Sequence, residues 1–261
     1  VEVPDPRLHK ISALVNPAKL IPTAIEFVDI AGLVAGASKG EGLGNRFLAH
    51  IREVDAIIHV VRAFNDDDIT HVSGHVDPIS DAGTIETELA LADLETLERA
   101  IERTSKAAKT GDKKVLRELE ILKTTHEALS NDTQIAALLT EDEVIHALKP
   151  LCLLTAKPVV YVANVAENEL QGNEEVEALR KHAAEAVAQL VVVSAAIEQE
   201  ISEIDPSDRP SFLEDLGLDE SAFYNYCQRH KCAIVVEDNI IPLAKLQPVA
   251  NNISKIIIKI T

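Results

Sequence analysis

Short apolar runs alternate with amphipathic ones along this chain. The run from Ala24 to Ile30 carries Asp29 at its end. Glycines follow at 32, 36, 40, 42 and 44, half of the ten in the chain. Phe47, Leu48, Ile51 and Val54 then recur on one helical face. The order is strand, glycine-rich loop, helix. Residues 56–64, AIIHVVRAF, predict a second buried strand. From Thr84 to about Ala108 the period becomes helical, with Ile85, Leu89, Leu94, Leu97 and Ile101. Gly111-Asp112 breaks that run, and a second helix is predicted from Lys114 to about Leu129. Two long helices joined by a short glycine-containing loop make an antiparallel hairpin. A third helical piece covers 141–151, and strands are predicted at 158–165 and 190–195. A polar helix holding Ile201, Ile204, Phe212 and Leu213 follows, ending near Gly217. Upstream, Asp5-Pro6 reads as a helix start, with Leu8, Ile11, Leu14 and Val15 at helical spacing. The expected fold class is α/β: three layers around a mostly parallel sheet, interrupted by the helical hairpin.

Composition narrows the function classes. At 261 residues and 46% apolar content the chain can bury a substantial core. Aromatics make up only 3%, so aliphatic side chains must build that core. A net charge of −18 argues against broad electrostatic binding to nucleic acid or anionic membrane, while leaving room for a local basic patch. No run of 18 apolar residues exists, so no membrane span is expected. Three widely spaced cysteines argue for reduced thiols and a cytoplasmic setting.

Asp29 and Gly32 carry the first candidate chemistry. A carboxylate at a strand end can hold a water on Mg²⁺, and a glycine amide can approach a terminal phosphate closely. Aspartate and glycine also make ordinary turns, so this spacing alone does not decide. The longer string is more specific: DIAGL, then GASKGEGLGN, then FLAHIREVDAIIHVVRAF. It resembles switch II of the Obg-related P-loop NTPases, and most closely the YchF / Obg-like ATPase group. The resemblance runs from residue 1 to about 220. It implies a P-loop NTPase-like domain, with Asp29 on the metal and Gly32 sensing the γ-phosphate. The family's GxxxxGK[ST] element is absent from this sequence. The chain starts at Val1 and holds no methionine, so truncation is the expected reason.

Further residues take roles through the same resemblance. His71, in the segment His71-Val72-Ser73-Gly74, matches the family's HVxG histidine, a water-positioning candidate. Leu33 stands where many GTPases carry a catalytic glutamine, and leucine cannot orient a water. A plain loop histidine is the alternative reading. His59 is read as an ordinary strand residue, and Asp66-Asp67-Asp68 as a solvated loop.

Asn164-Val165-Ala166-Glu167 stands where GTPases carry NKxD. Chemistry alone leaves the base open, because a carboxylate can still accept from guanine. The family's NxxE signature implies ATP, with GTP less favoured. Ser194, Ala195 and Ala196 match the motif whose backbone approaches the base.

Beyond Glu220 the resemblance fails, and the expected TGS domain is not recognisable. Residues 221–261 carry five Lys/Arg against two Asp/Glu. Cys227, His230 and Cys232 offer metal-type ligands in a spacing that fits no common zinc frame. CAIVV and KIIIKI read as strands.

The expected organisation is a nucleotide domain over 1–80 and 151–220, a helical insertion over 81–150, and an unassigned segment over 221–261. The resemblance implies an ATP-binding, slowly hydrolysing switch that uses Mg²⁺ and acts on the ribosome or translation machinery. Two alternatives stand beside it: a non-hydrolysing interaction module with a vestigial nucleotide site, and an Obg-type GTPase.

Overall fold

The computed structural model describes residues 6–21, 25–29, 43–66, 75–133, 135–205, 207–216 and 256–260. They divide between two compact units. One comprises Val1–Asp29, Ile58–Ile79 and Val159–Thr261; the other comprises Ile30–Ile57 and Ser80–Pro158.

The first unit is built on a five-stranded sheet. Its strands are β1 (Ile25–Asp29), β2 (Ala56–Arg62), β3 (Val159–Asn164), β4 (Gln189–Val193) and β5 (Ile256–Ile260), in the order β1-β5-β2-β3-β4. β3 and β4 pair in parallel, from Val160 opposite Gln189 to Asn164 opposite Val193. Ile57 donates to the Pro158 carbonyl at 2.9 Å and Ala63 to the Asn164 carbonyl at 2.8 Å. That constant offset at both ends makes β2 and β3 parallel too. β5 departs from this pattern, running antiparallel to β1 with Asp29 opposite Ile256. β2 is buried almost end to end, as an inner strand covered on both faces must be.

Helix α6 (Glu174–Glu185) connects β3 to β4 and packs on both. Only Val176, Leu179 and Ala183 of it are buried, one stripe at helical spacing. Its cap is Asn173, whose side-chain oxygen accepts from the Val176 nitrogen at 2.8 Å. The Asn173 Nδ2 donates to the Ala63 carbonyl at 2.7 Å, tying this helix start to the end of β2. Behind the strands, His59 is 4% exposed and lies 5.3 Å from the Tyr161 ring; His182 meets the same ring edge-on at 5.7 Å. His59 is therefore a core strand residue.

The second unit holds α2 (Leu43–Glu53) and most of α3 (Pro78–Ala108), then α4 (Lys113–Ser130) and α5 (Asp142–Leu148). Leu97 and Ala100 from α3 meet Ile121, Leu122 and Leu129 from α4, closed by Ile135, Leu148 and Leu153. Glu98 faces His126 across the two helices at 3.6 Å, so they run side by side in opposite directions. Gly111, at φ +77°, makes the turn between them. Asp112 starts α4 by accepting from the Lys114 nitrogen at 2.8 Å.

A buried carboxylate fixes the loop that leads into β3. Asp93 of α3 is fully buried and accepts from Leu154 N at 2.9 Å, Thr155 N at 2.8 Å and Thr155 Oγ1 at 2.8 Å. Arg52 of α2 lies 3.6 Å away. Burial pushes the Asp93 carboxyl above its usual range, against the opposing pull of these donors and of Arg52.

Helices α1 (Pro6–Val15), α7 (Ala195–Glu203) and α8 (Arg209–Asp215) complete the described elements. The single polar helix expected after residue 196 is two helices. Ile204 leaves helical geometry at ψ 142°, and the Asp205 carboxylate then accepts from Ser207 N and Oγ at 3.0 and 2.8 Å. This local side-chain bond offers the backbone an alternative to continuing the helix.

Candidate functional site

A cleft of about 380 Å³ opens at the carboxyl ends of β2, β3 and β4. This is where open α/β sheets place their ligands. Three segments line it: Phe64–Asp66 after β2, Asn164–Asn168 after β3, and Ser194–Ala196 after β4. The structure thus brings together Asn164, Val165, Glu167, Ser194, Ala195 and Ala196, all named from sequence.

Backbone bonds hold the last two segments in register. Val165 N donates to the Val193 carbonyl at 2.8 Å, extending the ladder by one step past the strands. Asn164 is 3% exposed, and its Oδ1 accepts from the Ala195 nitrogen at 2.9 Å. A backbone N–H can only donate, so the amide oxygen must face Ala195. The Asn164 Nδ2 has no partner among the described residues. Ser194 is 1% exposed, and its buried Oγ also lacks a partner among them. Two polar groups therefore face the cleft with hydrogen-bonding capacity unspent, which is costly unless a ligand uses it. Glu167 is exposed at the rim, whereas Val165 is buried.

The third wall was missed in the sequence, where Asn65 and Asp66 read as part of a solvated loop. Arg62, at the end of β2, is 4% exposed and shapes that wall. Its guanidinium carbon lies 4.6 Å from the centre of the Phe64 ring, and it donates to the carbonyls of Phe64 at 3.0 Å and Asp66 at 3.3 Å. A planar guanidinium can stack and donate sideways at once, which an ammonium cannot. The signal in the sequence was an arginine inside an otherwise apolar strand.

Asp29 is the last residue of β1. Gly32, Leu33, His71 and the glycines from 36 to 42 lie outside the described residues, as do Cys227, His230, Cys232 and the CAIVV run. Among the described residues no three His, Cys, Asp or Glu side chains converge on a metal-sized site. No helix among them is long and apolar enough to cross a membrane.

Comparison with known proteins bears on this site directly. The family model for the 50S ribosome-binding GTPase matches residues 9–87. The ribosome-binding ATPase YchF of Bacillus subtilis is 55% identical over 224 residues, covering 85% of this chain and 61% of the relative. The chain belongs to the YchF group of the Obg-related P-loop NTPases. The protein of the same name from Haemophilus influenzae is 51% identical over 220 residues, covering 84% of this chain and 61% of its own length. The structure of the Schizosaccharomyces pombe YchF GTPase superposes with a TM-score of 0.72 at 32% identity, covering 90% of this chain and 64% of that one. The chain thus spans about three fifths of the curated YchF proteins it matches. The α/β P-loop NTPase fold expected from sequence is the fold of this family.

Proposed function

We propose that the cleft holds the purine base of ATP, and that the whole protein is a slowly hydrolysing ATP switch acting on the ribosome in the cytoplasm. The observation that carries this reading is the anchored Asn164. With its oxygen committed to Ala195, it presents only N–H donors to the cleft. N7 of a purine is an acceptor in adenine and guanine alike, so Asn164 selects purines without choosing between them. The choice falls to Glu167 and to the backbone around Val165 and Ala195. The Ser194 hydroxyl supplies a further donor or acceptor beside them.

Asp29, at the end of β1, is assigned to Mg²⁺. One carboxylate suits an ion that the nucleotide's own phosphates mainly hold, and the absence of a multi-carboxylate cage among the described residues fits that use. Such an ion would neutralise charge on the phosphates. Gly32 is assigned to the γ-phosphate and His71 to the attacking water. The segmentation into a nucleotide domain and a helical insertion over 81–150 belongs to the same proposal.

Names among the relatives divide between ATPase and GTPase, which keeps the GTPase reading as the second one. Calorimetric titration with ATP and with GTP separates them, and relative affinity is the readout. ATP is expected to bind more tightly. Glu167→Asp shortens the carboxylate while leaving the buried Val165 in place, and is expected to move preference toward GTP. A parent chain that prefers GTP establishes the second reading instead.

A further inference from the structure

Residues 99–117 form the end of the α3–α4 hairpin and hold seven Lys/Arg against two Asp/Glu, in a chain whose net charge is −18. Three of these cations are neutralised locally. Arg99 pairs with Glu95 at 3.6 Å, Lys106 with Glu102 at 2.7 Å, and Arg117 with Glu120 at 2.9 Å and Glu143 at 3.0 Å. Arg103, Lys109, Lys113 and Lys114 are exposed and have no carboxylate partner among the described residues. Asp112 stands among them, but its carboxylate accepts the Lys114 backbone N–H and starts α4. No residue from Ser105 to Glu120 is buried, so this end of the hairpin is bare on every side.

We propose that the hairpin tip is a docking surface for the phosphate backbone of RNA. The choice of RNA rests on the ribosome-associated reading above; the existence of a polyanion surface does not. Four unpartnered cations on long side chains, with no apolar pocket between them, suit repeated phosphates that need charge rather than shape. A membrane surface fits less well, because the tip lacks the aromatic and leucine face that inserts into a bilayer. Distance also favours the tip. The hairpin extends about 15 Å beyond the Glu98–His126 contact at about 1.5 Å per residue, further than the screening length of about 8 Å at physiological salt. Acidic groups deeper in the helical unit therefore repel a strand at the tip only weakly.

The test is fluorescence anisotropy of a fluorescein-labelled RNA hairpin titrated with the full chain across a KCl series. The parent should bind with affinity that falls steeply as salt rises. The variant R103A/K109A/K113A/K114A should bind at least about tenfold more weakly, with the log–log salt slope flattened by roughly 3. A control variant, K10A/K181A, neutralises two exposed lysines elsewhere and should match the parent. Circular dichroism checks that the tip variant keeps its helices.

A parent that does not bind the RNA overturns the inference, as does a tip variant with the parent's affinity and slope. Tip-dependent binding to poly-glutamate or to phosphatidylserine vesicles without RNA binding overturns it too. Co-sedimentation with ribosomes separates this inference from the reading it rests on. Tip-dependent RNA binding by a chain that does not pellet with ribosomes supports the tip and defeats the ribosome reading. Equal pelleting of parent and variant, together with equal RNA binding, defeats the tip and leaves the ribosome reading standing.

Discussion

The side-chain oxygen of Asn164 accepts a 2.9 Å hydrogen bond from the backbone nitrogen of Ala195, which links the end of β3 to the first residue of α7. The same residue thus closes a structural joint and offers donors to the cleft. Asn164→Ala should lose both functions. Stranding the buried Ala195 N–H costs about 1–3 kcal/mol, and purine affinity should fall with it. Ser194→Ala removes a buried hydroxyl that has no partner among the described residues. It should leave stability unchanged or raise it by about 1 kcal/mol, while lowering nucleotide affinity. Urea denaturation beside nucleotide titration reads both. Equal stability loss in the two variants would show that the Asn164–Ala195 joint contributes nothing.

Val187 follows α6 with φ +51° and is 91% exposed. It occupies the left-handed position after a helix end, with its N–H on Ala184 and the next N–H on Ala183. A β-branched side chain is strained there, and nothing buries it in return. Val187→Gly should stabilise the chain by roughly 1 kcal/mol after glycine's own entropy cost. A lower melting temperature for this variant would contradict the assigned backbone geometry.

Asp93 supplies a pH dependence with a definite sign. Its carboxyl is raised by burial, so the folded state holds the proton more tightly than the unfolded chain. That contribution is fully present below the unfolded value of about 4 and is lost as pH rises through the folded value. The stability of the parent relative to Asp93→Asn should therefore shrink as pH climbs from strongly acidic toward neutral. Urea midpoints across that range provide the measurement. An advantage that grows with pH would mean that Leu154, Thr155 and Arg52 outweigh the burial cost and hold the carboxylate ionised.

His71→Ala should lower hydrolysis by about 10²–10⁴-fold with nucleotide affinity nearly unchanged. A group used only in the transition state lowers the rate and spares binding. The readout is single-turnover hydrolysis in the chain extended by a segment bearing GxxxxGK[ST], with a non-hydrolysable analogue titrated in parallel. Hydrolysis at the parent rate would make His71 a plain loop residue.

Sequence pattern carried the four strands from β1 to β4, because each is a short apolar run bounded by polar or turn residues. It also carried the hairpin, whose apolar stripe repeats over many turns. Helix α6 was invisible because only three of its residues are buried and its surface is rich in glutamate. Helix α3 starts at Pro78, six residues before the expected Thr84. Gly83 had read as punctuation, yet Ala82 and Ile85 beside it are buried and outweigh its weak helix propensity. In the site, the residues after β3 and β4 were legible because they fall in short motifs. The Phe64–Asp66 wall was not, since Arg62 reaches it through a folded geometry that no local spacing encodes.

The placement of β5 has a consequence for synthesis. Asp29 and Ile256 are sheet partners, yet nearly the whole chain is translated between them. At about 5–20 residues per second, β1 waits roughly ten to fifty seconds for the strand that separates it from β2. Closing so long a loop makes its pairing the late, slow event of folding. During that interval two strands of the future sheet each keep an unpaired edge, open to a chaperone or to a neighbouring nascent chain. The helical hairpin, with its mostly local contacts, can be in place well before.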